Sequence, residues 1–272
     1  MSSLQSLPDI RRHPLKLASS LLSVYYAYMV EYRAELLFWV LSGSLPLILL
    51  GVWTQASRGG NFALDATEFA RYFLAVFLTR QFTVVWVIWD FEREVVEGTL
   101  SFRLLQPLDP GWHHYSRHLA ERGARIPFIA ALVGLFALLY PQAVWRPEVW
   151  RLLLFGLTLM LAFTLRFLVQ YTFAMLAFWM ARAVAIEQFW YLFYLFLSGL
   201  VAPLTVFPSA MAAIALWTPF PYLIYFPVAI LLGLEVSWLQ GFSIMLGWCL
   251  IFWLANRWLW KRGLRRYSGM GA

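Results

Sequence analysis

Few side chains in this sequence combine a type and a spacing that chemistry could use. His114 and His118 stand four residues apart with Glu121 close by, so on a helix they would offer two imidazoles and a carboxylate to a metal. No further ligand completes that set, and no metal site is assigned. Arg80 lies beside Gln81 and Thr83, and Arg166 is followed one helical turn later by Gln170; both arginines fall inside long apolar runs. No His, Asp, Glu or Ser cluster sits at the end of an apolar run with nucleophile or metal spacing, so no catalytic residue is assigned. A Gly-rich loop ending in Gly-Lys-Ser/Thr is absent from the sequence, so ATP binding by that route is excluded.

The elements that must position these residues follow from composition. The 272 residues are 62% hydrophobic, with mean hydropathy +0.68, against roughly 45–50% apolar in soluble domains. The chain is therefore predicted to be an all-α polytopic membrane protein forming a single domain over 1–272. Its formal charge of +7 sits mostly in loops and tails, where it sets orientation rather than marking a nucleic-acid partner. Cys249 is the single cysteine, so no intrachain disulfide is possible. Arg11, Arg12 and Lys16 precede an apolar stretch, but no small-residue cleavage pattern follows, so a secretory signal is not assigned. In such a protein a central arginine costs about 2.5–3.5 kcal/mol on insertion scales, so Arg80 and Arg166 should face protein or water. They fit either a polar patch on a route across the membrane or a seam where they donate to a neighbouring helix. No intramembrane carboxylate suggests itself as their partner.

The most informative stretch runs from Asp90 to Pro110. Charges crowd its first half (Glu92, Arg93, Glu94, Glu97), and an apolar set follows (Leu100, Phe102, Leu104, Leu105). Gly98 permits a sharp turn, Thr99 is expected to cap a short helix beginning at Leu100, and Pro107 and Pro110 end it. The expectation is a short helix outside the bilayer, tied at both ends to membrane spans and presenting an apolar knob.

This stretch resembles the cytosolic coupling element of ABC-2 type transporter membrane subunits. The matching residues are Glu94, Glu97, Gly98, Thr99, Leu100, Leu104, Leu105 and Pro107. The resemblance implies that the helix seats in a groove of a separate ATPase subunit and transmits its closure. It also implies ATP and Mg on that partner chain and no cofactor in this one. The Pro-rich run from Ser198 to Pro208, Pro219-Phe-Pro-Tyr222 and the ending Arg266-Tyr-Ser-Gly269 resemble a bacterial six-span subgroup that includes viologen-type exporter subunits.

Read in order, residues 11–33 predict a helix lying in the inner interface. Spans are expected at about 34–54, 69–89, 126–144, 150–180, 188–206 and 236–258. Gly43, Ser44 and Pro46 interrupt the first, and Trp86 and Trp89 are expected to mark the inner end of the second. Residues 55–68, with Gly59-Gly60-Asn61, form an outer loop, and His113, His114, Arg117, His118, Arg122 and Arg125 a polar cytosolic linker. The run 207–235, interrupted by Pro208, Pro219, Pro221 and Pro227, predicts a re-entrant outer pair of short helices before span six. Glu187 and Glu235 are expected to be solvated or paired at span ends.

With both termini inside, Arg11, Arg12, Lys16, Arg33, Arg93, Arg103, Arg117, Arg122, Arg125, Arg182, Arg257, Lys261, Arg262, Arg265 and Arg266 lie on the inner side, and only Arg58, Arg71, Arg146 and Arg151 on the outer. The resemblance then implies an exporter subunit of a bacterial inner membrane, working with two ATPase subunits and a second permease. It would move a small amphipathic molecule, an organic cation or a lipid-linked substrate. A membrane-embedded lipid-modifying enzyme and a non-transporting assembly factor are the alternatives. Because a dication would be repelled by Arg80 and Arg166, the arginines are read as seam residues and the substrate as amphipathic or aromatic. The topology is checked in a Cys249→Ser background. A membrane-impermeant maleimide should label Gly60→Cys in intact cells and reach Arg265→Cys only after permeabilisation; the reverse pattern would invert the chain.

Overall fold

A computed structural model describes residues 14–60 and 64–267. Arg11, Arg12, Asn61 and the tail beyond Tyr267, all of which figure in the expectations above, lie outside the described residues. The described chain is helical with no strand, and five helical runs are long and apolar enough to cross a membrane. These are Arg33–Ser57, Ala66–Val96, Pro110–Leu139, Val149–Phe178 and Trp238–Leu264.

Helix α1 (Pro14–Glu31) coincides with the expected interfacial segment; it packs along α7 (Pro110–Leu139), burying Met29 against Ala124. The first long run is two helices, α2 (Arg33–Ser42) and α3 (Leu45–Ser57), separated at Gly43-Ser44 as the sequence suggests. The second is also two, α4 (Ala66–Thr83) and α5 (Val87–Val96), parted by three non-helical residues at 84–86. A reciprocal capping box starts α4: Asp65 Oδ1 accepts from the Glu68 amide at 2.7 Å, and Glu68 Oε2 accepts from the Asp65 amide at 2.8 Å. The break was not foreseen, and it moves Trp86 and Trp89 from the expected end of a span to its interior. The charged residues Asp90 to Glu94 accordingly continue a helix instead of opening a loop.

Helix α6 (Leu100–Leu104) lies where the short helix was expected, between the second and third long runs. The linker does not. Helix α7 starts at Pro110, Asp109 capping it through the Gly111 amide at 2.8 Å, and runs unbroken through Pro127 to Leu139. His114, His118, Arg122 and Arg125 are buried in its first half, correcting the expectation of a wet linker. Each of them finds at least one partner within the protein, which sequence position alone does not reveal.

Helix α8 (Val149–Ala174) continues as a 3-10 turn through Phe178 and is the common wall of two cores. Toward one end it meets α4 and α11 (Tyr225–Leu232) in the larger core; toward the other it meets α5 and Leu100 in the smaller. The apolar helix α9 (Val184–Leu197) has 14 residues, about 21 Å of rise, less than the roughly 30 Å hydrocarbon thickness. It is shorter than the expected span five because the chain leaves helical geometry at Ser198. The Pro-rich run then forms α10 (Ser209–Ala215), a 3-10 turn at Pro221–Leu223 and α11, in which Tyr225 to Leu231 are all buried. Helix α12 (Trp238–Leu264) closes the fold on α8.

Close approach between α12 and α11 needs Gly241. A Cβ there would stand 2.2 Å from Phe226 Cε2. Gly241→Val should therefore displace the Phe226 ring and destabilise the fold by about 1–3 kcal/mol, as overpacked cores do. A lowered unfolding midpoint in detergent, with normal membrane insertion, is the expected result.

Candidate functional site

Two regions hold side chains whose arrangement goes beyond packing: the α5–α6–α7 corner and the cavity at the α4–α5 break.

At the corner, Gly98 has φ of 74°, a left-handed conformation that suits glycine and turns the chain away from α5. Its carbonyl accepts from Ser101 Oγ at 2.7 Å and from the Tyr267 hydroxyl at 2.8 Å. The same hydroxyl accepts from the Ser101 amide at 3.2 Å. Thr99 makes no side-chain cap, so the expectation that its hydroxyl starts the helix is corrected: the Tyr267 hydroxyl takes that role at the Ser101 amide. Glu94 ties the corner across to α7, accepting from Arg103 Nε at 2.8 Å and lying 3.2 Å from His114 Nε2. Burial opposes the Arg103 charge, but the Glu94 carboxylate outweighs it and leaves the guanidinium pKa raised. Asp109 at the far end bonds Arg257 of α12 at 2.7 Å. Glu92 Oε2 accepts from the Val184 amide at 2.7 Å, fixing the start of α9 to α5.

The apolar set of α6 divides. Leu100 is fully buried in the smaller core, correcting its place in the knob. Phe102 is 70% exposed and Leu105 85% exposed, with Leu104 beside them at 37%. Glu97, Thr99 and Pro107 are exposed around the turn.

The second region depends on the helix break. In a continuous helix the Trp86 amide would donate to the Phe82 carbonyl. Here the Trp86 amide donates to His118 Nε2 at 3.0 Å, and Arg122 Nε donates to the Phe82 carbonyl at 3.1 Å. His118 Nδ1 lies 2.8 Å from the His114 carbonyl, which sets the tautomer with the proton on Nδ1. Both ring nitrogens are thus engaged and no lone pair remains for a metal. No group of three or more potential ligands occurs among the described residues. Arg122 and Arg125 both pair with Glu121, burying an ion cluster beneath α1 and α2.

The break opens a cavity of about 330 Å³ lined by Arg80, Arg166, Gln170, Glu187, Trp86 and Tyr194 among others. Arg166 Nη2 donates to Glu187 Oε1 at 2.7 Å, and Gln170 Nε2 donates to the same oxygen at 2.8 Å. The guanidinium also sits over the rings of Trp190 and Tyr194, at 4.4 and 4.6 Å from their centroids. Glu187 is 2% exposed, so of its two expected states it is paired and not solvated, and the arginine does have a carboxylate partner. The signal was a lone acidic residue in the first turn of an apolar helix; its partner, 21 residues earlier on another helix, could not be read from spacing. Gln81 does not join this group. It turns to the other side of α4 and donates to the Val40 carbonyl at 3.0 Å.

Several long apolar helices, a buried ion pair between one of them and the shorter α9, and a charged corner leading into a short apolar helix define a multi-pass membrane protein. Residues 61–271 match the model of the ABC-2 family transporter protein, and the chain belongs to that family. It is thus a membrane permease of an ABC transporter, a class that works with ABC ATPase partners. No curated protein matches the chain.

The Arg166–Glu187 pair yields a stability test. Glu187→Ala leaves a buried guanidinium uncompensated and should cost about 3–5 kcal/mol, whereas the double variant Arg166→Met, Glu187→Leu should stay closer to wild type. Thermal unfolding in nanodiscs reads the order of the variants.

Proposed function

We propose that the chain is the membrane-spanning subunit of an ATP-driven exporter in which α6 is the coupling helix. The observation carrying this reading is the exposure of Phe102 and Leu105 on a helix whose neighbours are fastened to α7 through Glu94 and His114 and to α12 through Asp109 and Arg257. An exposed knob on a mobile loop would absorb a push; one braced by Glu94, Arg103 and Tyr267 passes it on to the long helices. Glu94, Glu97, Gly98, Thr99, Leu104, Leu105 and Pro107 make up the exposed or bracing part of the element, and Leu100 anchors it.

In this reading α9 and the non-helical residues after it make a sixth crossing, beside the five long runs. α10 and α11 form a re-entrant outer segment, supported by the burial of α11, since broken backbone at membrane depth must be covered by protein. Helix α1 lies in the inner interface, and both termini are cytosolic in a bacterial inner membrane. A second permease and two ATPase subunits carrying ATP and Mg complete the complex. The transported molecule belongs to the small amphipathic, organic-cation or lipid-linked classes, the viologen type included.

Gly98→Pro, which cannot adopt positive φ, and the pair Leu104→Asp with Leu105→Asp should leave the permease inserted. Either should lower ATPase retention or substrate-stimulated ATP hydrolysis at least tenfold, because a charge in the groove would be buried unpaired. Co-purification with the ATPase measures this, and normal retention together with normal transport in both variants would refute the assignment.

A further inference from the structure

Four of the polar residues lining the cavity at the α4–α5 break each have a buried atom without a hydrogen-bond partner among the described residues. Two are donors, Arg80 Nη1 and Arg166 Nη1; two are acceptors, Gln170 Oε1 and Glu187 Oε2. Arg166, Gln170 and Glu187 are 7%, 1% and 2% exposed, so bulk water does not serve them freely. Buried polar atoms are almost always satisfied by protein or ordered water, and these four face a cavity large enough to admit an occupant that supplies the partners. The site's own bonds use Arg166 Nη2, Gln170 Nε2 and Glu187 Oε1, and leave the opposite edge of each group free.

We infer that this cavity binds an amphipathic molecule whose head is a single negative charge carrying its own hydrogen-bond donor. Two guanidinium cations face one carboxylate, so the lining holds one positive charge in excess. Arginine matches oxygen anions by charge-assisted bonds. The two free acceptors require an O–H or N–H on the same head. A phosphate monoester that keeps one proton meets both demands; a quaternary ammonium meets neither. Apart from Gln188, which is exposed, the rest of the wall is apolar and aromatic, with Val84, Val85, Trp86, Trp89 and Tyr191 beside the polar end, and takes an alkyl or aryl body. Arg166 is therefore a seam residue and a ligand-facing one together, whereas Arg80 is free to serve the occupant. The inference deepens the transport reading by naming the substrate class and rests on it for the word substrate, but not for binding.

The full chain with its ATPase, in nanodiscs of neutral lipid, is titrated with a bromine-labelled alkyl phosphate and with the alkyltrimethylammonium of the same length. Quenching of tryptophan fluorescence is followed, and the share lost in Trp86→Phe, Trp89→Phe reports this cavity. The phosphate should quench that share and the ammonium should not. Arg80→Gln should weaken the phosphate at least tenfold while the protein keeps its unfolding midpoint, and Arg80→Lys should restore part of the affinity. A second arm builds brominated phosphatidic acid into the disc. Quenching there points to a bilayer lipid as the source of the head, and quenching only by the added phosphate to a water-borne amphiphile; either supports the site. Equal quenching by both head groups, or phosphate binding unchanged in Arg80→Gln, overturns it. Loss of ATPase co-purification with phosphate binding intact would instead overturn the transport reading and leave this one standing.

Discussion

The structure depends on what happens to a backbone hydrogen bond when a membrane helix is interrupted. An unpaired amide or carbonyl in an apolar setting costs several kcal/mol, so a break survives only where side chains replace the lost bond. At 84–86 one lost bond is replaced at both its ends: His118 takes the orphaned Trp86 amide and Arg122 supplies the Phe82 carbonyl. These two residues stand four apart on α7, one above the other on a single face. The spacing that would suit a metal instead serves both halves of one missing hydrogen bond. The break, in turn, lets the cavity form and sends α5 toward the α6 corner.

The same solution recurs through the fold. Gln81 serves the Val40 carbonyl beside the Gly43-Ser44 interruption between α2 and α3. After α9, the non-helical run is met by the Tyr72 hydroxyl on the Gly199 carbonyl at 2.7 Å and by Trp53 Nε1 on the Val201 carbonyl at 2.8 Å. Trp248 of α12 donates to the Trp217 carbonyl past α10. Polar residues in apolar runs are thus spent largely on main-chain groups. Arg80, which makes no such bond through Nη1, stands apart from them for that reason.

The charged residues divide along the same line. Glu121 with Arg122 and Arg125, and Glu187 with Arg166, are enclosed pairs inside the protein. Glu94 and Arg103, partly exposed, and the buried His114 form a brace where α5, α6 and α7 meet. Enclosed pairs contribute little net stability but are costly to break, which suits positions that must hold one geometry. The brace lies where a push from outside would enter the long helices.

Local chemistry was enough to read much of this from the chain. Composition determines a helical membrane protein, Gly98 the positive-φ turn, and the spacing of Leu100, Phe102, Leu104 and Leu105 a short helix between two long ones, because each rests on propensity or period within a few residues. The α4–α5 break left no such mark: Val84, Val85 and Trp86 contain neither glycine nor proline, and what stabilises their non-helical geometry comes from α7, more than thirty residues away. Whether His118 is wet or buried, whether Leu100 joins the knob or the core, and whether Arg166 has a carboxylate were decided by tertiary structure. A polar side chain's energy depends on which partner reaches it, and in this chain those partners come from other helices.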